Sequence, residues 1–151
     1  MKHALSVLVL GLILFTSACS DSTLTQIAKF ESDLNAACST TFTVVAAAST
    51  ATPPLISTPD AAAIINVLVQ IEQANRQAQT ATASISTLSA ANQTNLLAIL
   101  APVQLAISNS VANGTVGIKD PATQQKVQLG LVTIQTVINT GVAFIKAAKT
   151  A

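Results

Sequence analysis

The sequence predicts an all-α protein, an antiparallel bundle of about four helices, on three observations. Apolar residues recur at alternating steps of three and four through four separate stretches. Ser, Thr, Asp and Pro stand at the starts of those stretches, in the places that cap helices. Leu, Ile, Val and Phe number 16, 13, 13 and 4 among 151 residues, enough for one hydrophobic core at this length.

The first stretch is Ile27, Phe30, Leu34, Ala37, Thr41, Val44 and Ala48. Its second half holds the mostly β-branched or aromatic run Ser39 to Val45, which also suits a strand, so a fray or break near Ser39 is compatible with the pattern. Pro53 and Pro54 mark residues 49–58 as a loop. Thr58, Pro59 and Asp60 then read as N-cap, first helical residue and an acid facing the positive end of the dipole. The second stretch runs Ile64, Val67, Ile71, Ala74, Ala78, Ala81, Ile85 and Leu88. Its alanine half lets a neighbouring helix approach closely, with Asn75 and Thr82 beside the seam as polar groups that need partners. For Asn75 the expected role is a register-setting hydrogen bond.

Ser89 caps a third stretch of Leu96, Leu100, Val103, Ile107 and Val111, with Asn113 and Gly114 as a left-handed stop. Pro102 lies inside it and predicts a kink near residues 98–102. Asp120 and Pro121 open the fourth, whose core face is Val127, Leu131, Ile134, Ile138, Gly141, Val142 and Ile145, with Lys146 and Lys149 at its C-terminal end. Leu129 and Val132 fall instead on the polar arc of this helix. They are the candidate contact surface, for an envelope protein or for a second copy of the chain, since an uncharged face does not repel its own copy.

Only 9% of the residues are charged, against roughly 25% in a typical globular protein. Residues 77–118 contain no charge over forty-two positions, and residues 34–59 none over twenty-six. The net charge is +1 with no basic tract, which excludes nucleic acid as a plausible partner. Tyr and Trp are absent, so aromatic platforms for carbohydrate are absent with them. The one histidine, His3, lies in the leader described next. No carboxylate pair, Gly-rich phosphate loop or metal-ligand spacing is present, and the expectation is a non-enzymatic protein without cofactor or metal.

Lys2 followed by an uncharged run from Ala4 to Phe15 reads as an export signal, too short to span a bilayer, which takes about 20 residues. Ser17, Ala18 and Cys19 follow it, then the polar Ser20, Asp21 and Ser22. This resembles the lipobox of bacterial lipoprotein precursors, with Thr16 where that pattern prefers Leu. The resemblance covers about the first twenty residues. It implies cleavage before Cys19, acylation of Cys19 and a lipid-anchored place in the bacterial cell envelope. Ser20, rather than Asp, after the cysteine is compatible with the outer membrane, facing the periplasm.

Thr16 and Ala18 also suit an ordinary leader peptidase, which would leave Cys19 a thiol. Its pairing with Cys38 is awkward, because a helix starting near Thr23 places Cys38 roughly 22 Å along the axis while four extended residues reach back about 14 Å. The expected organisation is a signal peptide at 1–18, a lipidated N-terminus and tether at 19–23, and one helical domain at 24–151. The function expected is a membrane-anchored structural or interaction module. Two alternatives remain: a carrier holding an apolar ligand between helices, and a small pore-forming or holin-like lysis factor. For the last, residues 127–145 are nineteen uncharged positions, but Gln128, Gln135 and Asn139 would each place an amide in hydrocarbon without a water partner.

Overall fold

Four side-chain caps set the starts of four helices in a computed structural model that describes residues 22–115 and 117–149. Ser22, Ser57, Ser89 and Asp120 are extended in backbone and each accepts the N–H three residues on, from Thr25, Asp60, Asn92 and Thr123. The helices that follow are α1 (Thr23–Thr50), α2 (Thr58–Thr82), α3 (Ala90–Asn113) and α4 (Pro121–Ala147). Residues 51–57, 83–89 and 114–120 join them, seven in each case. Seven residues reach about 25 Å at most, less than the roughly 36 Å length of the shortest helix, so consecutive helices must run antiparallel. Each helix packs on two neighbours in the cyclic order α1, α2, α3, α4, and the described residues form an all-α four-helix bundle.

The core is aliphatic apart from Phe30 and Cys38. Ile27, Phe30, Leu34 and Val45 of α1 meet Ile64, Leu68 and Ile71 of α2, Leu96, Leu100 and Ile107 of α3, and Val127, Leu131, Ile134 and Ile138 of α4 in one cluster. Each connection adds a plug: Ile56, Leu88 and Ile118 are buried at the bundle ends. A fully buried aliphatic contributes roughly 1.5–3 kcal/mol and a cap about 1 kcal/mol, so the caps choose where helices begin while burial holds them together.

Several boundaries differ from the sequence pattern. The first helix is continuous through Ser39, and within it Thr40, Thr41 and Thr43 turn their hydroxyls back onto the carbonyls of Ala36, Ala37 and Ser39. It also runs on to Thr50 and begins at Thr23, inside the expected tether. Ser57, not Thr58, caps the second helix, since its hydroxyl reaches both the N–H and the carboxylate of Asp60. That helix ends at Thr82, which leaves Ile85 and Leu88 in the connection; Leu68 takes the buried place that spacing assigned to Val67. Gly114 is right-handed, so no left-handed stop ends α3. Pro102 lies within a continuous α3, where it and Ala98, whose carbonyl loses its helical donor, both face water.

Two glycines let α4 lie close on α1. A Cβ at Gly141 would fall on the Phe30 ring, and one at Gly130 on the Thr41 side chain. Both pairs are eleven residues apart along their helices, three turns, so a single antiparallel register serves both contacts. Gly→Ala inside a helix ordinarily gains about 1 kcal/mol, whereas overpacking a filled core costs about 1–3 kcal/mol. Gly141→Ala should therefore lose stability in urea unfolding, and the same change in a Phe30→Leu background should gain it. A more stable Gly141→Ala in the native background would contradict the close approach.

Candidate functional site

Among the described residues, side-chain hydrogen bonds join α1 to α2 and α3 to α4. In the first pair Asn75 donates from Nδ2 to the Glu31 carbonyl at 2.9 Å, and the Thr82 hydroxyl donates to Glu31 Oε1 at 3.2 Å. Asn75 thus ties α2 to α1 as its position beside the alanine seam implies, and Ala74 and Ala78 are buried next to it. Its Oδ1 is buried without a hydrogen-bond partner among the described residues.

In the second pair a ladder of amides runs along the α3–α4 seam. Gln128 donates to the Val111 carbonyl at 3.1 Å and accepts from the Thr115 hydroxyl at 3.0 Å. Gln135 donates to Ser108 Oγ at 3.0 Å, and Gln104 donates to Asn139 Oδ1 at 2.8 Å. Gln124 donates to the Thr115 carbonyl at one end of the seam. At the other, Gln93 reaches the last turn of α4, donating to the carbonyls of Ile145 at 2.6 Å and Ala148 at 3.2 Å, and so closes a helix end that would otherwise depend on water. Sequence reading takes Gln128, Gln135 and Asn139 as solvent-seeking groups; the structure pairs all three with α3. The antiparallel alignment that joins 128 with 111 and 139 with 104 is a tertiary fact that helix periodicity cannot supply.

Leu129 and Val132, the candidate contact pair, are each 39% exposed on the outer side of α4. Leu105 on α3 is 65% exposed and was not singled out by its sequence position. Thr133 and Thr136, beside the α4 pair, return their hydroxyls to the Leu129 and Val132 carbonyls, which leaves this face less polar than its composition suggests. α3 and α4 are both long and apolar enough to cross a membrane, with 22% of the most apolar stretch of α3 buried in the bundle and 39% of that of α4. The expected signal segment 1–18 and Cys19 lie outside the described residues.

The titratable groups are few. Burial raises Glu31 above the usual glutamate range, opposed by the Thr82 hydroxyl, and burial raises Asp33, opposed by Lys29. Burial, with Glu72 adding to it, pushes the Cys38 thiol up to about 12, so Cys38 is a thiol and not a nucleophilic thiolate at neutral pH. The Thr123 side chain and backbone N–H hold Asp120 below its usual value. Among the described residues no three His, Cys, Asp or Glu side chains come together to hold a metal ion. Comparison with known protein families, characterised proteins and solved structures finds no match to the chain.

Because Glu31 holds its proton more tightly folded than unfolded, it favours the fold least once ionised, and stability falls as pH rises from the ordinary glutamate value through the raised one. Asp33 acts in the same sense and Asp120 in the opposite one. Glu31→Gln keeps an acceptor for Thr82 and removes the buried charge. Its urea midpoint should exceed that of the native chain at neutral pH and converge with it below pH ~4. A lower midpoint at neutral pH would mean that the ionised Glu31–Thr82 bond outweighs the burial cost.

Proposed function

We propose that the protein is a non-enzymatic lipoprotein of the bacterial cell envelope, held to the membrane by acyl chains on Cys19 and acting through its helical bundle as a structural or interaction module. The observation that carries this reading is the Ser17-Ala18-Cys19 pattern three residues ahead of Ser22, the cap of the first helix. A cysteine so close to a folded unit suits an N-terminal anchor. Two or more acyl chains, at roughly 0.8 kcal/mol per buried methylene, suffice for stable attachment. The antiparallel order then brings residues 83–89 and the Lys146 end of α4 to the membrane side, with residues 51–57 and 114–120 distal. Ser20 is compatible with the outer membrane, facing the periplasm. The protonated, buried Cys38 and a chain from Cys19 onward without histidine support a role other than catalysis.

Metabolic labelling with a clickable palmitate should mark the native chain and fail on Cys19→Ala. An unlabelled native chain, or label that persists on Cys19→Ala, would overturn the anchor. The docking face in this reading is the outer side of α4, where Leu129 and Val132 could each contribute on the order of 1.5–3 kcal/mol if a partner buried them fully. With a second copy as that partner, sedimentation across a wide concentration range should show self-association that Leu129→Ser with Val132→Ser abolishes. A monomer throughout would remove the second copy from consideration.

A further inference from the structure

We infer that the α3–α4 hairpin is a membrane-entering unit: it swings away from α1 and α2 about residues 83–89 and presents its aliphatic faces to a lipid bilayer. Three observations carry this, and none depends on acylation of Cys19. The first is size and charge. α3 has 24 residues and no charge, α4 has 27, and both pass the length and hydropathy of a membrane span. Lys126 and Lys146 bracket the uncharged stretch of α4 about 30 Å apart, the thickness of the hydrocarbon core. Lysines at such positions can extend their amines to the interface.

The second observation removes the objection to hydrocarbon. An amide in lipid is costly only when it lacks a partner. Gln128, Gln135 and Asn139 of α4 have theirs on α3, and Gln104 has its own on α4, so these four amides would enter the bilayer already joined across the pair. Hydroxyls behave alike: Ser108, Thr133 and Thr136 donate to carbonyls of their own helices. A soluble core helix also passes a hydropathy test, yet such a helix is mostly buried, and α3 is not.

The third observation is how the hairpins are joined to each other. Hydrogen bonds link α1 to α2 and α3 to α4; α4 meets α1 through Gly130 and Gly141 beneath Thr41 and Phe30, and the faces that α3 and α4 turn to the core are aliphatic. Those faces exchange α1 and α2 for lipid, which is equally apolar, so the cost of opening falls on the faces that α1 and α2 leave behind and is offset by the exposed Leu105, Leu129 and Val132 entering lipid. The partner is therefore a bilayer, reached by separating the two hairpins.

The absence of Trp and Tyr makes a single introduced tryptophan a clean reporter. The full chain with Cys19→Ser and Cys38→Ala would carry Leu105→Trp on α3 or, for comparison, Val69→Trp on α2, both at exposed positions. A Cβ at Gly130 lies 3.1 Å from Thr41 Cβ, close to disulfide range, so Thr41→Cys with Gly130→Cys gives a reversible lock between hairpins. On vesicles of phosphatidylethanolamine and phosphatidylglycerol with brominated acyl chains, the unlocked α3 tryptophan should shift to the blue and lose roughly half its emission on reaching the hydrocarbon core. The α2 tryptophan should change little. Oxidising the lock should abolish the α3 response and reductant should restore it. No response at α3, an equal response at α2, or quenching unaffected by the closed lock would each overturn the inference; because Cys19 is replaced throughout, failure here leaves the anchor to be judged by labelling alone.

Discussion

The scarcity of charge is the constraint from which the rest of this bundle follows. The ion pair of Glu72 with Arg76, one turn apart on the same helix with Arg76 exposed, is worth a few tenths of a kcal/mol. Orientation and register must come from elsewhere. Amides supply them: Asn75 binds a main-chain carbonyl of α1, and Gln128 and Gln93 bind carbonyls of α3 and α4. Glycines supply the rest, since Gly130 and Gly141 admit α1 at one alignment only. A hydrogen bond nets about 1 kcal/mol, less than one buried aliphatic, so these contacts select the arrangement while apolar burial provides most of the stability.

The same division of labour explains what could be read from the sequence. The four helices, the buried stripes around Leu34, Ile71, Leu100 and Ile134, and the caps Ser89 and Asp120 follow from local chemistry, and periodicity and capping are local. The Asn75 bond was legible because an amide beside an alanine seam has few other outlets. The end of α2 was not: Ile85 and Leu88 continue the three-and-four spacing, yet Leu88 is buried as a plug in the connection, and spacing alone does not separate the two uses. Ser57 and Thr58 are both capping residues, and the Asp60 carboxylate decides for Ser57 by returning its bond.

The candidate surface was legible only in part. Leu129 and Val132 stand out on a helical wheel because polar neighbours frame them, while Leu105 sits among alanines and Pro102 and offers no such contrast. The amide ladder could not be seen at all, because Gln104 and Asn139 meet only once the antiparallel register is fixed. Part of what reads as a polar surface is a bond network along one seam, half-buried at Gln128 and Gln135 and exposed at Asn139, so as a pair α3 and α4 are less polar than either is alone.

The central claim is that the bundle consists of two hydrogen-bonded hairpins, α1 with α2 and α3 with α4, joined across closely packed seams, with Thr41 and Phe30 seated on Gly130 and Gly141. Native-state hydrogen exchange at increasing denaturant tests it most directly, because cooperative units reveal themselves as groups of amides that open together. The account predicts two such groups with the division within residues 83–89, one opening at a lower free energy than the other. A single opening for all four helices, or a group that unites α1 with α4 across the division, would contradict it.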